Sequence, residues 1–160
     1  MRIAGIVRDS IVDGVGIRDV IFFQGCVHKC KGCHNPQTWD LNGGEHRFAG
    51  DVVRELSDSP NDITISGGEP LLQYNALKSF LDVLTRTTKK RVWLYTGYTV
   101  VPTDVKWQIL SKYIDVVVDG QYVEELKDSK LLFRGSSNQR LIDLPKSVEE
   151  QQIVLWEGNK

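Results

Sequence analysis

The sequence has no long apolar run, no excess of charge of either sign and almost no cysteine, and each absence removes a class of function. No stretch approaches the roughly 18 consecutive apolar residues that a membrane-spanning helix needs. The opening Met1-Arg2-Ile3-Ala4-Gly5-Ile6 lacks the apolar core of a secretion signal. A cytoplasmic protein without a membrane partner is therefore expected. Lys and Arg number 20 against 21 Asp and Glu, a formal charge of −1. The basic surface that would neutralise a phosphate backbone is missing, so nucleic acid is not an expected partner. There is also no internal repeat and no Pro, Gly and Ser linker, so nothing marks a domain boundary. With 160 residues, 41% of them hydrophobic, the chain suits one domain with its own core. A single domain over 1–160 is expected, with 143–160 as a tail or an extra strand.

What is present is an alternation of strand and helix signals. Residues 19–23, 62–66, 91–96 and 113–119 are β-branched and aromatic runs that read as buried strands. A helix is expected over 50–57, carrying Val52, Val53 and Leu56 on one side. Another follows Asn75, where Leu77, Phe80, Leu81 and Leu84 fall at i, i+3, i+4 and i+7. A third is expected over 104–112, with Val105, Ile109 and Leu110 inward, and residues 141–144 and 152–156 are possible further strands. Strand followed by helix, repeated, argues for parallel βαβ units with right-handed crossovers. A closed eight-unit barrel takes about 250 residues, so this chain has room for about five units. The expected fold is α/β: a partial, open (β/α) barrel of about five to six parallel strands. Ligands of such sheets collect beyond the carboxyl ends of the strands, where the loops that follow each strand should meet.

The first of those loops holds all three cysteines of the chain, Cys26, Cys30 and Cys33, within eight residues. A disulfide scaffold would spread an even number along the chain, whereas a tight cluster points to metal or redox chemistry. The spacing C-x3-C-x2-C lets three thiolates converge on one centre. Two readings stand at this point. A structural zinc would take His28 or His34 as its fourth ligand. A four-iron cluster would keep one iron without a protein thiolate, free to coordinate a small molecule. Lys29 and Lys31, between the ligands, would offset the negative charge. The second loop, Gly67-Gly68-Glu69-Pro70, ends a strand with backbone that a ligand can approach closely, and its carbonyls or the Glu69 carboxylate can accept hydrogen bonds from an ammonium group. Taken alone, it reads rather as a tight turn before a helix.

Together the cysteine spacing and the Gly-Gly-Glu-Pro segment resemble the radical S-adenosylmethionine enzymes. Within them, the chain resembles the activating proteins of anaerobic ribonucleoside-triphosphate reductases. The likeness runs through Asp13-Gly14-Val15-Gly16, residues 25–35, Thr38-Trp39, Thr96-Gly97-Tyr98, Val118-Asp119-Gly120 and Arg134-Gly135-Ser136-Ser137-Asn138-Gln139, and covers roughly residues 5–142. Two positions depart from the family: Val15 stands where proline is usual, and His34 where tyrosine is usual.

The resemblance implies that Cys26, Cys30 and Cys33 bind one [4Fe-4S] cluster whose remaining iron chelates S-adenosyl-L-methionine. Gly32, Cys33 and His34 would flank the adenosyl group, and Gly67, Gly68 and Glu69 would receive the methionine ammonium. Thr96 and Asp119, at strand ends, would contact the ribose hydroxyls or the cofactor carboxylate or bind a monovalent cation, or else serve only as helix caps or stand in solvent. Reductive cleavage would give a 5′-deoxyadenosyl radical that takes a glycine Cα hydrogen from the large reductase subunit, leaving a glycyl radical. A flavodoxin or ferredoxin-type protein would donate the electron. Residues 134–139 would either contact the reductase or form a surface turn. The other readings are an activase of a different glycyl-radical enzyme, such as pyruvate formate-lyase, and a zinc-stabilised binding module without catalysis.

Overall fold

The computed structural model describes residues 1–158, so the last two positions of the expected tail lie outside the described residues. Seven strands form one sheet: β1 (Arg2–Ser10), β2 (Arg18–Phe23), β3 (Glu45–His46), β4 (Asp62–Gly67), β5 (Val92–Thr96), β6 (Val116–Asp119) and β7 (Arg140–Asp143). Among the described residues four α-helices accompany them: α1 (Ala49–Ser57), α2 (Tyr74–Thr87), α3 (Val105–Leu110) and α4 (Leu144–Glu150). The strands lie in the order β3-β1-β2-β4-β5-β6-β7, and the sheet stays open at β3 and β7.

The open α/β sheet agrees with the sequence reading, but the number of parallel strands does not. Four strands, β2, β4, β5 and β6, run parallel, against the expected five to six. The other three pair antiparallel. The reason is in the connections. A parallel neighbour needs a crossover that carries the chain back to the starting end of the sheet, and α1, α2 and α3 do this between successive parallel strands. Residues 120–139 contain one short 3-10 turn, Glu124–Leu126, and no long helix. The chain therefore stays at the end where β6 finished, and β7 enters antiparallel with Arg140 opposite Asp119. Residues 152–156 add no full strand: Leu155 bridges Ile142, and the Trp156 N–H donates to the Leu141 carbonyl at 2.9 Å.

Strand alternation splits the apolar residues between two faces. On one face, Ile63, Ile65, Val92, Leu94 and Val117 meet Val52, Val53 and Leu56 of α1 and Leu77, Phe80, Leu81 and Leu84 of α2. On the other, Trp93, Val116 and Val118 are covered by Val15, Phe133, Leu141 and Trp156. Helix α3 turns inward with Trp107 and Leu110, while the expected Val105 is 67% exposed. Among the described residues no helix is long and apolar enough to cross a membrane.

Candidate metal and cofactor site

The loops that follow β2, β4, β5 and β6 close around a cavity of about 210 Å³. Cys26, Cys30, Cys33, His34, Gly67, Gly68 and Thr96 lie on its wall, as do Asp13, His28, Trp39, Tyr95, Gly97, Gln121 and Tyr122. The structure thus brings seven of the expected site residues together. Gly32, Glu69 and Asp119 are not on the wall.

All three thiols are free; Cys26 is buried and the other two are half-buried. Their loop is anchored at its start, where the Gly25 and Cys26 N–H groups donate to the Thr38 and Trp39 carbonyls at 2.7 and 3.2 Å. Further along, the Cys33 N–H donates to the Cys30 carbonyl at 3.1 Å, and the Asn35 N–H donates to the Cys33 sulfur at 3.4 Å. Burial pushes the Cys30 thiol up, the Tyr122 N–H that donates to it pulls the other way, and the neighbouring Cys26 and Cys33 push it up further. Neither histidine completes a tetrahedron with these sulfurs. His28 Nε2 lies 2.9 Å from Glu69, and the His34 ring packs against Tyr122, 5.2 Å between centroids.

The Gly67-Gly68-Glu69-Pro70 segment is glycine at its first two positions because β2 and the loop that follows it press on it. Gly67 has φ +107°, and a Cβ there would run into the Phe23 backbone. A Cβ on Gly68 would run into the Gly25 carbonyl and come within 3.0 Å of the Thr38 carbonyl. Glu69 sits behind this segment with none of its surface exposed. Its carboxylate accepts from the Leu71 N–H at 3.0 Å, the Thr96 hydroxyl at 2.8 Å and the Gly97 N–H at 2.8 Å.

Asp119 is also buried, in an ion pair. Arg140 Nε and Nη2 donate to it at 3.0 and 2.6 Å, and the Val100 N–H donates at 2.8 Å. It therefore fastens β7 and the β5–α3 loop to the end of β6. Sequence reasoning had no role for Tyr95, Gln121 or Tyr122. Tyr95 was readable from alternation, because it lies on the face opposite Leu94; burial raises its phenol, whose hydroxyl donates to the Phe133 carbonyl at 2.7 Å. Tyr122 donates to Glu124 at 2.6 Å, and that bond holds its phenol up at about 12. Asp13 was visible in its Asp-Gly-Val-Gly motif. Its carboxylate accepts from Ser10 at 2.5 Å and its carbonyl from Thr64 at 2.7 Å. Arg18, which burial brings down to about 10, holds the Val15 carbonyl at 3.2 Å.

A family model described as "4Fe-4S single cluster domain" matches residues 12–142. The chain is 40% identical over 140 residues to a Vibrio cholerae protein named anaerobic ribonucleoside-triphosphate reductase-activating protein, covering 81% of this chain and 90% of the relative. Proteins of the same name from Escherichia coli K12 and Enterobacteria phage T4 are 36% and 39% identical, over 81% and 82% of this chain and 90% and 87% of theirs. The chain belongs to this activating-protein family. For a member of the reductase-activating proteins, the cavity can be tested against a four-iron cluster. Among the described residues, no three His, Cys, Asp or Glu side chains gather closely enough to hold a single metal ion. A tetrahedral zinc would require sulfurs within about 4 Å of one another. A cubane cluster instead spreads its thiolates over separate irons, and N–H groups that donate to the cysteine sulfurs tune its potential. The donor set fits the cluster that the family model describes.

Proposed function

We propose that this chain activates an anaerobic ribonucleoside-triphosphate reductase by generating a glycyl radical on it with S-adenosyl-L-methionine. The observation that carries the reading is one cavity shared by three free thiols, no fourth protein thiol, and the Gly67-Gly68 backbone. When bound, the cluster supplies one electron that splits the sulfonium into methionine and a 5′-deoxyadenosyl radical, and the radical leaves as 5′-deoxyadenosine after taking a glycine Cα hydrogen. The rest is done by the chain. Cys26, Cys30 and Cys33 would hold three irons of the cluster, and the chain has no fourth thiol for the last. The Gly67-Gly68 backbone receives the methionine ammonium, with the buried negative charge of Glu69 behind it. His34 and Tyr122, ring against ring, offer an aromatic wall beside Cys33 for the adenine. Thr96 stands on the cavity wall and its hydroxyl holds Glu69 in place, and a loop of the reductase brings its glycine to the cavity. The electron comes from a flavodoxin or ferredoxin-type protein, since three cysteines provide for a single cluster.

The relatives' names favour the ribonucleotide reductase over other glycyl-radical enzymes as the target. Anaerobic reconstitution with iron and sulfide tests the chemistry. It should give about four irons per chain and, with S-adenosylmethionine and a reductant, release 5′-deoxyadenosine. One zinc per chain and no cleavage would overturn the reading.

A further inference from the structure

A fully buried carboxylate is costly unless its lone pairs are used, and those of Glu69 are used by donors from several loops. Leu71 belongs to the loop after β4, and Thr96 and Gly97 to the end of β5 and its loop. The remaining partner is His28, placed between Cys26 and Cys30, whose Nε2 lies 2.9 Å from Glu69 Oε2. The other ring nitrogen, Nδ1, is 3.2 Å from the side-chain amide of Gln121, in the loop after β6. With its proton on Nε2, the ring donates to Glu69 and accepts from Gln121. One chain of contacts, Gln121 to His28 to Glu69 to Thr96 and Gly97, therefore joins the loops of all four parallel strands. The His28 side chain is only 8% exposed. Its ring meets Tyr98 edge-on at 4.8 Å and covers Gly97 so closely that a Cβ there would come within 2.5 Å of it.

The start of the cysteine loop is anchored through backbone, by Gly25 and Cys26 and by the Glu69 N–H, which donates to the Gly25 carbonyl at 2.8 Å, and the Tyr122 N–H reaches the Cys30 sulfur. From there to Cys30, the bond between His28 and Glu69 is the tie to the Gly67-Gly68 segment. We propose that His28 is a positioning residue: by holding the thiolate loop against Glu69, it sets the separation between the cluster and the backbone that receives the cofactor's methionine end. The inference rests on the S-adenosylmethionine reading of the site. It assigns to a residue inside the cysteine motif a role other than metal ligation.

The test compares His28→Ala, His28→Asn and His28→Gln in the reconstituted full-length chain. Glutamine carries its amide nitrogen where Nε2 stood, and asparagine ends one bond short. The readouts are iron content, the S-adenosylmethionine dissociation constant, and the change that the cofactor produces in the EPR spectrum of the reduced cluster. All three variants should take up iron like the wild type. Affinity should fall about tenfold in the Ala and Asn variants, with loss of the spectral change, while the Gln variant stays within about threefold of wild type. Gly97→Ala, which pushes a methyl into the ring and leaves the thiols alone, should reproduce the Ala variant. Wild-type affinity in His28→Ala and His28→Asn would overturn the assignment. So would a Gln variant as weak as Ala, or loss of iron from the Ala variant, which would make His28 a determinant of cluster assembly instead. A wild-type protein whose spectrum ignores S-adenosylmethionine would refute the cofactor reading itself.

Discussion

Gly68 faces a steric constraint that carries no backbone strain: it has an ordinary φ, yet a side chain there would strike the Gly25 carbonyl next to Cys26. Gly68→Ala is therefore expected to keep the fold while pushing the thiolate loop away from β4. Cofactor affinity measured by equilibrium binding should fall about tenfold, the equivalent of about 1.4 kcal/mol, and stability by roughly 1–3 kcal/mol, because the atoms struck are backbone that must shift. Gly67→Ala adds backbone strain to its clash with Phe23, because the residue stands at φ +107°. It should lower stability by roughly 1–3 kcal/mol, read as a shift in the denaturant midpoint. At this scale the sequence is informative where the determinants are local. Three thiols within eight residues announce a shared centre whatever the surrounding fold. The buried charges are different: Glu69 meets Thr96 across 27 positions and His28 across 41, and Asp119 meets Arg140 across 21. Motif spacing places such a carboxylate at a strand end. Whether it faces a ligand or another side chain depends on partners that arrive from other elements.

Among the elements, the parallel strands and the helices α1 and α2 were legible because their apolar residues follow a single period. Strand β1 was not, since Arg2, Gly5, Arg8 and Asp9 interrupt its apolar residues and its exposure is mixed along its length. Helix α4 carries a local signal in the sequence: Asp143 caps it by accepting from the Lys146 N–H at 3.1 Å, and Pro145 sits in its first turn. The join between β1, β2 and the start of β4 is made by Asp19. Arg8 donates to its carboxylate at 2.9 Å, the Asn61 amide at 2.8 Å and the Asp9 N–H at 3.3 Å. Burial would raise this carboxyl, but the bonds from Asn61, Ser59, Asp9 and Arg8 outweigh it and hold the group below its usual value. A carboxyl depressed in the folded state stabilises the protein above its unfolded pKa of about 3.9, and that stability is lost as pH falls through the folded value. Asp19→Asn should thus cost roughly 2 kcal/mol near neutral pH. The gap from wild type should close as acid is added below about pH 4.

For the molecule as a whole, the consequence of the open sheet lies at the carboxyl ends of β2, β4, β5 and β6. Three crossovers return the chain to one end, so each parallel strand delivers its following loop to the same cavity. The segment between β6 and β7 never crosses back, and it lays Gln121, Tyr122 and Gln139 along that cavity. An architecture with seven strands, four of them parallel, thus builds a site from the loops at one end of the sheet. A radical made in the cavity, on the function proposed above, must end on a glycine of the reductase. Mixing the reconstituted protein with the anaerobic reductase, S-adenosylmethionine and a reductant, and recording the EPR spectrum, shows whether it does. A doublet from a glycyl radical on the reductase is expected, absent when any one of Cys26, Cys30 and Cys33 is replaced by Ala. A reductase that stays EPR-silent while 5′-deoxyadenosine accumulates would contradict that function.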